Sequence, residues 1–239
     1  MENNDHNFRQ GEILCVDKPL HWTSFDVVNK LRWKLKKKYG IKRFKVGHAG
    51  TLDPLATGLL LICTGKKTKV SQQLTGDDKT YTGTILLGKT TPSYDLETEF
   101  DTESSTDALT EQQIHQSVDH FLGEQQQTPP AFSAKKVNGK RAYTSARQGK
   151  AVALKSNTIH IHAFEINTDR FPEVDFRVKC SKGTYLRSLA HDFGKHLGVG
   201  GTLVALRRTV SGDFSIEDAK TIEDWLSIIE TTEIEEISS

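Results

Sequence analysis

The strongest constraint on what this chain can fold into lies at residues 47–60, Gly-His-Ala-Gly-Thr-Leu-Asp-Pro-Leu-Ala-Thr-Gly-Leu-Leu. Three glycines and a proline crowd the approach to an apolar run, Leu59 to Ile62, so the backbone has to turn tightly and then enter a buried element. The stretch carries a single carboxylate, Asp53. Pro54 biases Asp53 toward extended backbone and removes a donor, which aims a side chain more than it builds regular structure. A lone acid on a stiff loop is what a nucleophile or proton acceptor requires; the competing reading is an Asp-Pro pair that only makes a turn.

The 239 residues allow one large domain or two small ones, either with a sizeable core. Cys15, Cys63 and Cys180 are odd in number, widely separated and without a Cys-x-x-Cys pair, which argues for reduced thiols and a cytoplasmic protein. The longest apolar stretch, around residues 59–63, is far too short to span a bilayer, and residues 1–10 form a polar tail without the apolar region of a signal peptide.

Net charge is only +1, but its distribution is uneven. Residues 30–45 hold nine Lys/Arg and no acid, and residues 135–155 hold seven more, again with no acid. Residues 95–124 carry nine acids with no Lys or Arg, and residues 213–236 nine acids against one lysine. Charge runs are commonly solvated faces. Aromatic residues threaded through both basic runs, Trp33, Tyr39, Phe44 and Tyr143, favour an RNA face built on Lys36, Lys37, Lys38, Lys135, Lys136, Lys140 and Arg141, since rings stack on bases while cations neutralise phosphate.

Residues 13–16 read as a short strand, and Thr23-x-x-Asp26 as a capping box opening a helix whose apolar positions are Val27, Val28, Leu31 and Leu35, with its basic face exposed. Residues 79–87 read as a strand, with Tyr81, Gly83, Ile85 and Leu87 on one face and three threonines on the other. A polar acidic connection over 91–109 leads to a second box, Thr110-x-x-Gln113, and a helix bearing Ile114, Val118, Phe121 and Leu122 that stops at Gly123. Apolar content then drops over residues 125–150, an excursion from the core. Strands follow at 158–166 and 174–180, a helix at 185–197, a strand at 202–210 and a helix around 222–229. This mixture is an α+β pattern and not a βαβ repeat.

Several chemistries can be set aside. Gly65-Lys66-Lys67-Thr68 follows Gly58 by seven positions where a phosphate loop requires five, His160-x-His162 needs a further metal ligand, and no Gly-x-Ser-x-Gly elbow appears. No cofactor or metal is expected.

The 47–58 segment resembles the active-site motif of the TruB-type tRNA pseudouridine synthases, and the resemblance extends from about residue 11 to residue 220. Further matches are Lys79-Thr80-Tyr81, the run Cys180 to Arg187 through Gly183, Leu206-Arg207-Arg208, and a Pro129 to Lys136 segment with Gly139-Lys140 and Ala142-Tyr143. The resemblance implies a pseudouridine synthase fold: a mixed, largely antiparallel sheet flanked by helices with a thumb-like RNA-binding insertion. It makes Asp53 the catalytic residue, Arg187 its arginine partner, Tyr81 and Tyr185 tyrosines against the target base, Leu206 a uracil contact, and His48 the histidine that occupies the place of the extruded base. The implied domain spans residues 11–212, with the insertion at about 125–152 and an acidic tail at 213–239 in place of a PUA-type module. The expected activity is isomerisation of the T-loop uridine, position 55 of tRNA, by a monomer with tRNA as partner through its T-arm and no membrane. Synthases for another structured RNA, or a non-catalytic RNA chaperone, are the alternatives.

Overall fold

A computed structural model of the chain describes residues 6–132, 136–137, 140–141 and 155–233, which divide into two compact units: residues 6–79 with 207–233, and the described part of 80–206. The expected α+β class holds, with a largely antiparallel sheet and five α-helices among the described residues.

The first unit is built around the apolar run. Strand β3 (Ala56–Thr64) is buried along nearly its whole length and pairs antiparallel with β1 (Ile13–Lys18), Ile13 opposite Cys63 and Lys18 opposite Gly58. The short β2 (Val46–Ala49) pairs with the far end of β3. Helix α1 (Ser24–Lys38) starts where the sequence places it: Thr23 Oγ1 accepts from the Asp26 amide, and Asp26 returns a bond to the Thr23 amide. Its predicted apolar positions, Val27, Val28, Leu31 and Leu35, are all buried, and four such side chains removed from water contribute on the order of 6–10 kcal/mol before entropy is counted. A 3₁₀ turn (Gly65–Val70) and the one-turn α2 (Ser71–Thr75) follow β3; the buried Lys79 donates to the carbonyls of Leu74, Thr75 and Asp77, satisfying the end of α2.

The acidic C-terminal segment belongs to this unit and is not a loose tail. Helix α5 (Ile222–Thr231) carries its own capping box, Thr221 with Asp224, and buries Ile222, Trp225 and Ile229. Trp225 Nε1 donates to the Cys15 carbonyl at 2.9 Å, and the segment leading to α5 pairs Lys220 with Val16. Part of the basic face expected to be open is therefore covered: Lys34 forms an ion pair with Glu230, and Lys38 Nζ donates to the Glu230 carbonyl at 2.7 Å, where a cation also meets the negative end of the helix dipole.

In the second unit β4 (Lys79–Leu87), β11 (Glu173–Cys180), β10 (Asn157–Asn167) and β7 (Gly123–Gln127) follow one another across the sheet. The threonine face of β4 is covered as well: Thr80 and Thr84 are buried, and Thr84 Oγ1 donates to Asp175 at 2.6 Å. The hairpin β5 (Lys89–Thr90) with β6 (Thr102–Glu103) sits in the acidic connection, whose Thr91, Ser93 and Asp95 are buried and not solvated. The Thr110 box opens α3 (Glu111–Ser117) as expected, and β7 adds a strand that composition had given to the excursion. Of that excursion, β8 (Lys136–Val137) pairs with β9 (Lys140–Arg141). Helix α4 (Leu186–His196) buries Leu186, Leu189, Ala190 and Phe193 and ends before Gly198. Strand β12 (Gly201–Ser211) belongs to this unit up to Leu206 and to the first unit from Arg207, where β13 (Phe214–Ser215) folds back on it.

Candidate active site

The loop bearing Asp53 is fixed at almost every residue. The Ser24 hydroxyl, buried at the start of α1, accepts from the Leu52 amide at 2.8 Å and donates to the Leu52 carbonyl at 3.1 Å. The Pro54 carbonyl accepts from the His21 amide at 2.8 Å, and the Asp53 carbonyl from the Ala56 amide at 3.0 Å. On the other side Arg208, 1% exposed, sends Nη2 to the Gly50 carbonyl at 3.1 Å and Nε to the Leu59 carbonyl at 2.7 Å. Two glycines make that clamp possible. Gly50 has φ +87 with Arg208 Nη1 at 3.3 Å from where a Cβ would stand, and Gly58 has φ +98 with the Arg208 carbonyl at 2.3 Å from its Cβ position. The half-buried Asp53 side chain thus leaves a loop held by hydrogen bonds on both sides of it, which is the pre-organisation a reacting group needs.

Two buried cations that spacing alone does not reveal contribute to the electrostatics around this loop. Lys18, at the end of β1 and fully buried, donates from Nζ to the carbonyls of Pro19 at 2.8 Å and Trp22 at 2.6 Å. Burial pulls its ammonium down to about 8; Asp53 and Asp26 work the other way, and Arg208 pushes it further down. His48, half-buried on β2, is held below its ordinary value by burial and by Arg208, so its ring is neutral at neutral pH. Its Nδ1 is buried with no hydrogen-bond partner among the described residues.

Asp53 and His48 belong to the first unit; Tyr81, Tyr185, Arg187 and Leu206 belong to the second. Tyr81 is buried on β4, and Leu206 is half-buried on β12. Tyr185 is the N-cap residue of α4 and makes no side-chain cap. Gln127, at the end of β7 and buried, holds the backbone of that residue, accepting from the Tyr185 amide at 2.8 Å and donating to its carbonyl at 3.1 Å. Arg187 is 5% exposed, with Nη1 at 3.6 Å from the buried Asp95 carboxylate and 3.4 Å from the Ser93 carbonyl. A residue that spacing alone would place on the surface is thus a buried, paired guanidinium, and Asp95 is one partner, concealed by the acidic composition of its segment. One turn along α4, His191 stacks on Tyr94 with ring centroids at 3.8 Å.

Lys36, Lys37 and Lys38 end α1, with Lys37 exposed and Lys38 drawn to α5. Lys136, Lys140 and Arg141 lie on the β8–β9 hairpin, whereas Lys135 and Tyr143 lie outside the described residues. Cys15, Cys63 and Cys180 are buried and none of them forms a disulfide. Among the described residues no group of three or more His, Cys, Asp or Glu could hold a metal ion, and no helix is long and apolar enough to cross a membrane.

Comparison with known proteins shows the family. Residues 36–186 match the family model for the TruB family pseudouridylate synthase N-terminal domain, and residues 187–237 that for the tRNA pseudouridylate synthase B C-terminal domain. The chain is 55% identical over 213 residues to tRNA pseudouridine synthase B of Flavobacterium johnsoniae, covering 89% of this chain and 93% of that one. It is 48% identical over 231 residues to the protein of the same name from Phocaeicola vulgatus, covering 97% and 98%. Among solved structures, a chain of a Cbf5-Nop10-Gar1 complex superposes with a TM-score of 0.70 at 30% identity over 95% of this chain; this chain spans 56% of that one.

Proposed function

This chain belongs to the TruB family of tRNA pseudouridine synthases, and we propose from that premise that it isomerises the T-loop uridine at position 55 of tRNA, with Asp53 as the catalytic carboxylate. The observation that carries the assignment of Asp53 is the fixed loop: Ser24, His21 and Arg208 hold the backbone on both sides of one half-buried acid. The reaction breaks the N-glycosidic bond, turns the uracil and rejoins it through carbon. A uridine inside a folded loop has to be flipped out first, at a cost of a few kcal/mol that ring and hydrogen-bond contacts offset. Tyr81, Tyr185 and Leu206 take the role of uracil contacts, and His48 offers a neutral ring to fill the vacated stack. Asp53 adds to, or takes a proton from, the nucleotide, and Arg187 serves as a cation whose position Asp95 and Ser93 support. Lys36, Lys37, Lys38, Lys136, Lys140 and Arg141 contact phosphate.

The test is Asp53→Asn, which keeps the shape of the side chain and removes its ability to act as nucleophile or base. Incubation with unmodified tRNA, followed by mapping of pseudouridine, should detect no product above background while tRNA affinity stays near wild type. Turnover within about tenfold of wild type would overturn the role of Asp53. Product at a uridine outside the T-loop would favour the reading of a synthase for another structured RNA.

A further inference from the structure

We propose that the solvent face of α1 is a stacking platform for an unpaired segment of the RNA substrate, with Phe25 and Trp33 as its rings; this rests on the reading of the chain as an RNA-modifying enzyme that uses Asp53. Phe25, Asn29, Trp33 and Lys37 recur at intervals of four and therefore share one stripe of the helix, about 18 Å from end to end. Phe25 is 58% exposed and Trp33 59%. Single exposed apolar side chains are ordinary on a protein surface. These two differ in sharing a stripe and in each carrying a cation: Arg32 Cζ lies 5.8 Å from the Phe25 ring centroid and Lys37 Nζ 5.7 Å from that of Trp33. Arg32 is itself oriented, donating from Nη1 to Asn29 at 3.0 Å and from Nη2 to the Val46 carbonyl at 2.7 Å.

A ring with one face toward a cation and much of its surface in solvent suits a nucleobase, and the cation beside it suits the adjoining phosphate. Among the described residues no ion pair joins Arg32 or Lys37 to a carboxylate. Residues 30–45 contain no acid, and the carboxylate of Asp26 is engaged by Thr23. Lys34 and Lys38, drawn toward Glu230, leave Arg32 and Lys37 as the cations the rings themselves hold. The helix is also joined to the chemistry: Ser24, the residue before Phe25, makes both hydrogen bonds to Leu52, next to Asp53. A strand whose uridine reaches Asp53 therefore finds the first ring of the platform on the helix that braces the catalytic loop.

The decisive measurement is the Kd of wild type, Phe25→Ala, Trp33→Ala, the double variant and Trp33→Phe for tRNA and for a T-arm stem-loop at fixed salt. Both rings are exposed, so a thermal melt should return wild-type folding. Each alanine should raise Kd by about fivefold or more, the double variant more than either, and Trp33→Phe should keep most of the affinity. The slope of log Kd against log salt should stay as in wild type, because no cation is removed. Phe100→Ala is the control: Phe100 is 45% exposed with Lys89 at 5.3 Å from its ring, but it lies among acids, and its loss should leave Kd unchanged.

A double variant within about twofold of wild type, or an equal loss for Phe100→Ala, overturns the platform. Unchanged RNA affinity with lost self-association in sedimentation would assign the stripe to a protein contact and overturns it too. Pseudouridine mapped on the same RNA separates the two readings: a wild type that binds through these rings but modifies another uridine leaves the platform standing and removes the T-loop assignment.

Discussion

At the scale of single residues, the chain buries charge where it supports the Asp53 loop. Lys18 and Arg208 are both out of solvent, and each spends its donors on carbonyls, Lys18 on Pro19 and Trp22, Arg208 on Gly50 and Leu59. The lysine makes a prediction with a definite sign. Its folded value, about 8, lies below the ordinary 10.5, so the charged form is the one folding disfavours. Below about pH 8 both states hold the proton and folding bears the full cost. Between about 8 and 10.5 the unfolded chain binds more protons than the folded one, so stability should rise with pH in that window. Activity should move the opposite way, because the cation within reach of Asp53 is lost. Urea midpoints and kcat/KM measured through that window should diverge in this manner for wild type and lose the divergence in Lys18→Met; a wild-type midpoint that falls through it, relative to Lys18→Met, would refute the assignment. Neither cation could be read from the sequence. A lysine before a proline and an arginine in an alternating strand look like surface residues until distant segments enclose them. The tightly held loop around Asp53 was legible because its constraint is local, a proline on one side and glycines nearby.

At the scale of elements, local chemistry was the reliable guide. Thr23 with Asp26 and Thr110 with Gln113 start helices because the reciprocal bonds of a capping box are written three residues apart. Strand β7 was missed because Gly-Glu-Gln-Gln-Gln has no apolar alternation; its pairing to β10 and the hold of Gln127 on Tyr185 define it instead. The C-terminal helix was foreseen, but its place was not. An acidic run reads as solvent-exposed, whereas Ile222, Trp225 and Ile229 turn one face of α5 into core. Trp225→Ala should therefore cost about 3–5 kcal/mol in equilibrium unfolding, from the cavity and the lost bond to Cys15, and Trp225→Phe distinctly less. A loss below about 1 kcal/mol for the alanine would mean that the segment is dispensable to the first unit.

At the scale of the whole molecule, positive charge resides on α1 and on the β8–β9 hairpin, while α5 offers Glu223, Asp224 and Glu230. An acidic helix does not attract a second stretch of RNA backbone, so an isolated T-arm stem-loop should be modified with kcat/KM within about tenfold of full tRNA, roughly 1.4 kcal/mol in transition-state stabilisation. Both substrates should be compared at matched salt, and a deficit of about a thousandfold for the stem-loop would show that a distant part of tRNA is read. The first unit has a further property: residues 6–79 and 207–233 bracket the second unit along the chain. The ribosome delivers Asp53 long before Arg208, and at about 5–20 residues per second the interval is roughly 8–30 s. During that time Gly50 and Leu59 lack the guanidinium that later holds their carbonyls, and Cys15 awaits the indole of Trp225. A nascent chain thus carries Asp53 on an unclamped loop, and the clamp is complete only once Arg208 has been made.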